Sequence, residues 1–192
     1  MFKPIVSSVL AAYLLTGCSS VTPAGLIAAA RLDPLDANPS DISVAVGVPD
    51  QLRLSEGDAA LFFSFAPDDA GDTLPISATV PLSISSESGP RAPQDGEAIY
   101  IFGLDALGAA RLSEVQEQVR ALKVEGIPGT GIVRVEVSGG CLVDGALENL
   151  RITTWIRTSV DDAFVLLTRQ TDLLKGLPPQ ERLMFESNFK QC

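Results

Sequence analysis

The stretch Ile42-Ser43-Val44-Ala45-Val46-Gly47-Val48 decides the fold class. Its β-branched residues fall on every second position, and Ser43, Ala45 and Gly47 fill the others. A strand sends successive side chains to opposite faces, so this period of two predicts a strand with one apolar face. The same signal recurs downstream. Residues 60–65 form an apolar run holding Phe62, Phe63 and Phe65, short enough for a buried strand. Ile76, Ala78, Val80, Leu82 and Ile84 alternate again, and Pro81 on the opposite parity predicts an edge strand or a bulge. Residues 98–102 read as a further strand, as do 132–137, where Val133, Val135 and Val137 alternate with Arg134 and Glu136. Leu150, Ile152, Thr154 and Ile156 alternate with Arg151, Thr153, Trp155 and Arg157, and a turn at 160–163 leads into 164–169.

One segment breaks the strand pattern. Val115, Val119 and Leu122 fall at helical spacing, Ser113 and Gln116 match a capping box, and Gly126 and Pro128 supply a stop. These predict a helix over 114–125, with a start as early as Asp105 left open. A second short helix is expected over 180–188. The fold class expected is mainly β: about seven strands, in an antiparallel sandwich or an α+β sheet, with one inserted amphipathic helix near 113–125. Most strands that neighbour in sequence are expected to pair.

The organisation follows from the first forty residues. A single basic residue, Lys3, precedes the apolar run 5–15, and small residues close it. This is the layout of a secretory signal. The run is shorter than the roughly 20 residues needed to span a bilayer. Leu15-Thr16-Gly17-Cys18 resembles the lipobox of bacterial lipoproteins. The resemblance implies cleavage before Cys18, a diacylglycerol on its sulfur, and a further acyl chain such as palmitate on its amine. Two chains anchor stably where one holds only marginally. Ser19, in place of Asp, implies the outer membrane rather than the inner one by similarity to enterobacterial sorting. The division expected is a signal peptide over 1–17, a lipidated N-terminus and linker over 18–41, and a single periplasmic domain over 42–192. The linker reading rests on Asp33-Pro34-Leu35-Asp36-Ala37-Asn38-Pro39-Ser40-Asp41, rich in proline, acid and small polar residues.

Composition narrows the chemistry. The chain has 192 residues, 14 basic against 24 acidic, for a net charge of −10. That balance argues against nucleic acid and against an electrostatic grip on anionic lipid. Cys141 and Cys192 remain once Cys18 carries lipid, and an even pair in an oxidising compartment predicts a disulfide. The chain contains no histidine. This removes Ser-His-Asp and Cys-His catalysis and the commonest zinc ligand. No cofactor and no metal is expected. Asp68-Asp69-Ala70-Gly71-Asp72 matches no calcium loop and reads as a turn. Gly126-Ile127-Pro128-Gly129-Thr130-Gly131 follows a helix and precedes a strand, the reverse of a phosphate cradle.

One contact surface is marked. Arg151, Thr153, Trp155 and Arg157 share the face opposite the apolar parity of their strand. The mixture suits recognition, while the alternative is a Trp covered by a helix or loop. Together these features predict a membrane-anchored lipoprotein facing the periplasm, serving as a binding, scaffold or accessory component of a cell-envelope assembly, with an envelope protein as partner. The alternatives are a small-ligand or lipid carrier, and a His-independent hydrolase using a serine with Lys123 or Lys175 as base.

Overall fold

A computed structural model describes residues 35–68, 74–143, 147, 149–169, 172, 174–175, 177–186 and 189–192. The signal and lipobox residues, Cys18 included, and positions 69–72 of the acidic turn lie outside this set. The fold is mainly β. A 3-10 turn, η1 (Pro39–Asp41), leads into β1 (Ser43–Pro49), β2 (Leu52–Arg53), β3 (Ala59–Pro67), β4 (Ile76–Pro81), β5 (Ser83–Ile84) and β6 (Glu97–Gly103). Helix α1 (Ala106–Val124) separates these from β7 (Gly129–Val137), β8 (Cys141–Leu142), β9 (Thr153–Arg157) and β10 (Val165–Arg169). Helix α2 (Pro179–Glu186) and β11 (Lys190–Gln191) follow.

The strands form three sheets. The largest runs β10-β9-β1-β6-β5, the second β4-β3-β7 and the smallest β11-β8-β2. All pairings are antiparallel except β11 with β8. Strand β1 pairs with β6 and β9, both distant in sequence, rather than with its neighbours. The expectation of mostly sequential pairing therefore holds only for part of the fold, such as β3 with β4, β5 with β6 and β9 with β10. Strand β4 is an edge strand, as Pro81 requires, since proline donates nothing to a ladder. The two-residue strands β2, β8 and β11 are too short to carry a period and were not anticipated.

One core joins the two larger sheets and the helix. Val44, Val46 and Val48 of β1, Leu61, Phe63 and Phe65 of β3, and Leu112, Val115 and Val119 of α1 all enter it. The helix begins a full two turns before the expected capping box. Asp105 is its N-cap, its Oδ1 accepting from the Gly108 N–H at 2.6 Å. Ser113 lies inside the helix, and Gln116 is buried rather than capping. A Cβ at Gly108 would stand 2.8 Å from Val80 Cγ1, so this glycine admits the helix close against β4.

Gln116 has a different partner. Its Nε2 donates to the Ala37 carbonyl at 3.0 Å, and Arg120 Nη2 donates to the Leu35 carbonyl at 2.6 Å. Leu35 and Pro39 are buried. Residues 35–41, expected to be linker, thus belong to the domain. Their composition marks irregular backbone, and α1 supplies the donors that such backbone needs when it is packed down. At the other terminus Cys141 and Cys192 are disulfide-bonded. The bond holds β11 beside β8, where Cys192 N–H also donates to the Leu142 carbonyl at 2.9 Å.

Candidate functional site

The site grows from the small residues of β1. All seven positions of this strand are buried, so the sheet is covered on both faces. On the face away from the main core, Ala45 lies opposite Ile101 on one side and Trp155 on the other. Ala45, Ile101 and Trp155 form a second apolar cluster with Ile99, Phe164 and Leu166 around it. Gly47, two residues along, has no side chain to fill the space. A Cβ there would meet Glu97 Oε1 at 2.8 Å and the Trp155 ring at 3.2 Å. Small residues on the second face of β1 therefore give Trp155 its bed.

The polar loop 85–96 covers this cluster as a strap. A Cβ on Gly89 would stand 3.1 Å from Ile101 Cδ1, which shows how closely the strap runs over the sheet. Arg91 sits above the indole, its guanidinium carbon 5.3 Å from the Trp155 ring centroid. The same guanidinium forks onto Glu97, with Nη1 donating to Oε2 at 2.7 Å and Nη2 to Oε1 at 2.8 Å. Burial pushes the Glu97 carboxyl up, but the Arg91 bonds, the Gln94 N–H and the charge of Arg169 together hold it below the ordinary carboxylate range. A second clasp lies at the far side of the strap. Arg157 Nη2 donates to Glu87 Oε2 at 2.8 Å and to Ser43 Oγ at 3.1 Å, while the Ser43 hydroxyl donates to the same carboxylate at 2.8 Å. Arg157 Nε is buried without a partner, so the clasp is incompletely satisfied.

These contacts divide the surface marked in the sequence. Trp155 is only 7% exposed and Arg157 is committed to Glu87 and Ser43. Neither is offered to a partner, because the strap covers the one and clasps the other. Arg151 and Thr153 stand apart from them and line an open cleft of about 650 Å³ at one end of the five-stranded sheet. The remaining walls come from Val48 and Pro49 at the end of β1, the turn before β6, and Arg169, Asp172 and Lys175 beyond β10. Arg169 lies directly across the ladder from Thr153. Sequence reading did not mark Arg169, and it weighed Lys175 only as a base for a serine, not as part of this surface. Their only signal was position at the end of a strand and in a turn, which says nothing about proximity to Arg151.

Two of the three acids in the cleft, Asp172 and Glu97, are held in place by the fold. Asp172 Oδ1 accepts from the Leu150 N–H at 2.9 Å and from the Leu174 N–H at 3.0 Å. The Leu150 N–H holds the Asp172 carboxyl below its usual range, against burial, with the Leu174 N–H, Arg151 and Arg182 adding to it. Glu97 is bound to Arg91 as described. In contrast, the side chains of Arg151, Arg169 and Lys175 form no hydrogen bond or ion pair among the described residues. The cleft lining contains no serine, and Lys123 is solvent-exposed in the last turn of α1. Among the described residues no three His, Cys, Asp or Glu side chains converge on a metal-sized site.

No family model matches the chain, and no curated protein or solved structure resembles it closely enough to count as a relative. The functional reading therefore rests on the residues and their geometry.

Proposed function

We propose that this protein is a membrane-anchored lipoprotein whose β-rich domain serves as a binding or accessory component of a cell-envelope assembly. It is cleaved before Cys18, lipidated there and held at the outer membrane facing the periplasm. The observation that carries the reading is Leu15-Thr16-Gly17-Cys18 at the end of an apolar run. The Cys141–Cys192 disulfide supports it, since such bonds persist in oxidising compartments. The chain between Cys18 and Leu35 reaches at most about 60 Å when fully extended, so the domain works close to its membrane.

Binding is favoured over catalysis by the organisation of the cleft. Two of its three carboxylates, Glu97 and Asp172, are bound to arginine or to backbone N–H groups, which suits structural roles rather than proton transfer. Lipid carriage is disfavoured by the same lining, which is dominated by charged and polar side chains.

The test is fractionation of cells producing the full chain or Cys18→Ala, with mass spectrometry of the N-terminal peptide. The wild type is expected in the outer membrane with an acylated Cys18. Cys18→Ala is expected to leave that fraction. An unmodified Cys18, or identical fractionation of the two, would overturn the anchor. Crosslinking through a tag in the exposed turn at 160–162 then reads out partners; the strap, which is packed on the sheet, is no place for one.

A further inference from the structure

We infer that the cleft at the end of the five-stranded sheet binds the oxyanion group, carboxylate or phosphate, of a small polar ligand through Arg151, Arg169 and Lys175. The inference rests on the reading of the domain as a binding module, and it does not depend on the lipid anchor.

The argument begins with scarcity. Basic residues are outnumbered 14 to 24 in this chain. Five arginines elsewhere in the fold find carboxylates, Arg91 with Glu97, Arg111 with Glu114, Arg120 with Asp36, Arg134 with Glu136 and Arg157 with Glu87, and Arg182 donates to the Leu147 carbonyl. Arg53, Lys123 and Lys190 also form no ion pair among the described residues, but they do not line the cleft. Arg151, Arg169 and Lys175 gather around one cleft and keep their donors uncommitted. Three acids line the same cleft and none contacts these cations: Glu97 is forked onto Arg91, Asp172 is turned onto two backbone N–H groups, and Asp95 forms no ion pair among the described residues.

The position of the cations is built rather than incidental. Arg169 is set opposite Thr153 by the β9–β10 ladder, and Arg151 precedes Thr153 by two residues. A guanidinium presents parallel N–H donors that match the two oxygens of a carboxylate or the face of a phosphate. Two such groups and an ammonium around one opening form a clamp for an oxyanion. The Thr153 hydroxyl and the Asn149 amide add neutral donors along the same wall. The apolar side chains of the lining are Val48 and Pro49, and the other side chains offer the ligand polar contacts. The overall negative charge opposes long-range attraction of anions, so recognition here is short-range and geometric.

The shared chemistry has two sources near a membrane: a soluble anion and a phospholipid headgroup. Full-length protein in neutral detergent is titrated calorimetrically with citrate and with pyrophosphate at low salt, and separately exposed to phosphatidylglycerol vesicles. Trp155, the single tryptophan, lies under Arg91 at the cleft edge and gives a second readout by its fluorescence. The expected result is saturable binding of at least one soluble probe, weakened tenfold or more in Arg151→Gln/Arg169→Gln and unchanged in Arg111→Gln, a surface arginine on α1. Vesicle binding that is lost in the double variant, without soluble binding, assigns the site to a headgroup. No saturable binding to any probe, or binding indifferent to the double variant, overturns the inference. Unchanged thermal unfolding of the double variant excludes a folding defect as the cause of a loss.

Discussion

Arg91 lies over the Trp155 ring, 5.3 Å from its centroid, while both its terminal nitrogens are bonded to Glu97. One side chain thereby closes the strap over the second face of the sheet and forms part of the cleft wall. Arg91→Ala removes the cation from the indole and leaves Glu97 without its partner. The expected cost is about 1–3 kcal/mol, because a charge-assisted bidentate bond is lost from a half-covered site. Chemical denaturation measures it, and the Trp155 emission is expected to shift to the red as water reaches the ring. Arg91→Lys restores the charge without the planar fork, so only partial recovery is expected.

Acid weakens the same region. Glu97 and Asp172 titrate below their ordinary values of 4.5 and 3.8, so the folded chain binds fewer protons than the unfolded chain through this range. Their contribution is fully present above those ordinary values. It is lost as pH falls through the lowered, folded-state values. The melting temperature is expected to fall as pH drops below about 4.5. Glu97→Gln should melt lower than wild type at pH 7 and lose less on acidification. Parallel curves for the two proteins would show that Glu97 has no part in the acid response.

The Cys141–Cys192 bond closes a loop across a sequence separation of 51 residues. In the chain-entropy model its removal costs about 4 kcal/mol, with the loss arising in the unfolded state. Cys141→Ser/Cys192→Ser should unfold at lower denaturant, and amide exchange should rise first in β2, β8 and β11. These strands are two residues each, and the clip ties the exposed β11 to β8.

Two candidate caps of α1 are separable by mutation. Asp105→Ala is expected to cost about 1 kcal/mol through loss of the bond to the Gly108 N–H. Ser113→Ala, in the helix interior, should be neutral or slightly stabilising, since alanine has the higher helix propensity. Thermal unfolding of the two variants settles which residue starts the helix.

Long periodic segments were legible because periodicity is a local consequence of burying one face. β1, β3, β4, β6, β7, β9 and β10 all stand where alternation or an apolar run placed them. The pairing of Cys141 with Cys192 was legible because lipidation of Cys18 would leave no other partner. Between the two helix starts left open, Asp105 and Ser113, the local capping rule favoured Ser113 with Gln116, and tertiary burial of Gln116 overrides it. Residues 35–41 were misread because proline and aspartate mark irregular backbone, and only the donors Gln116 and Arg120 show that it is packed.

The sequence by itself determined the strand-rich class, the presence of an inserted helix and the cysteine pairing, each a matter of spacing or counting. The tertiary structure alone decided the fate of the face carrying Arg151, Thr153, Trp155 and Arg157. A strand's second face is solvent or interior according to what crosses it, and what crosses this one is a loop some sixty residues upstream. Strand β10, through its pairing with β9, brought Arg169 beside Thr153, and the turn beyond it brought Lys175 to the same cleft. Proximity between distant segments depends on register and topology, which no local pattern encodes.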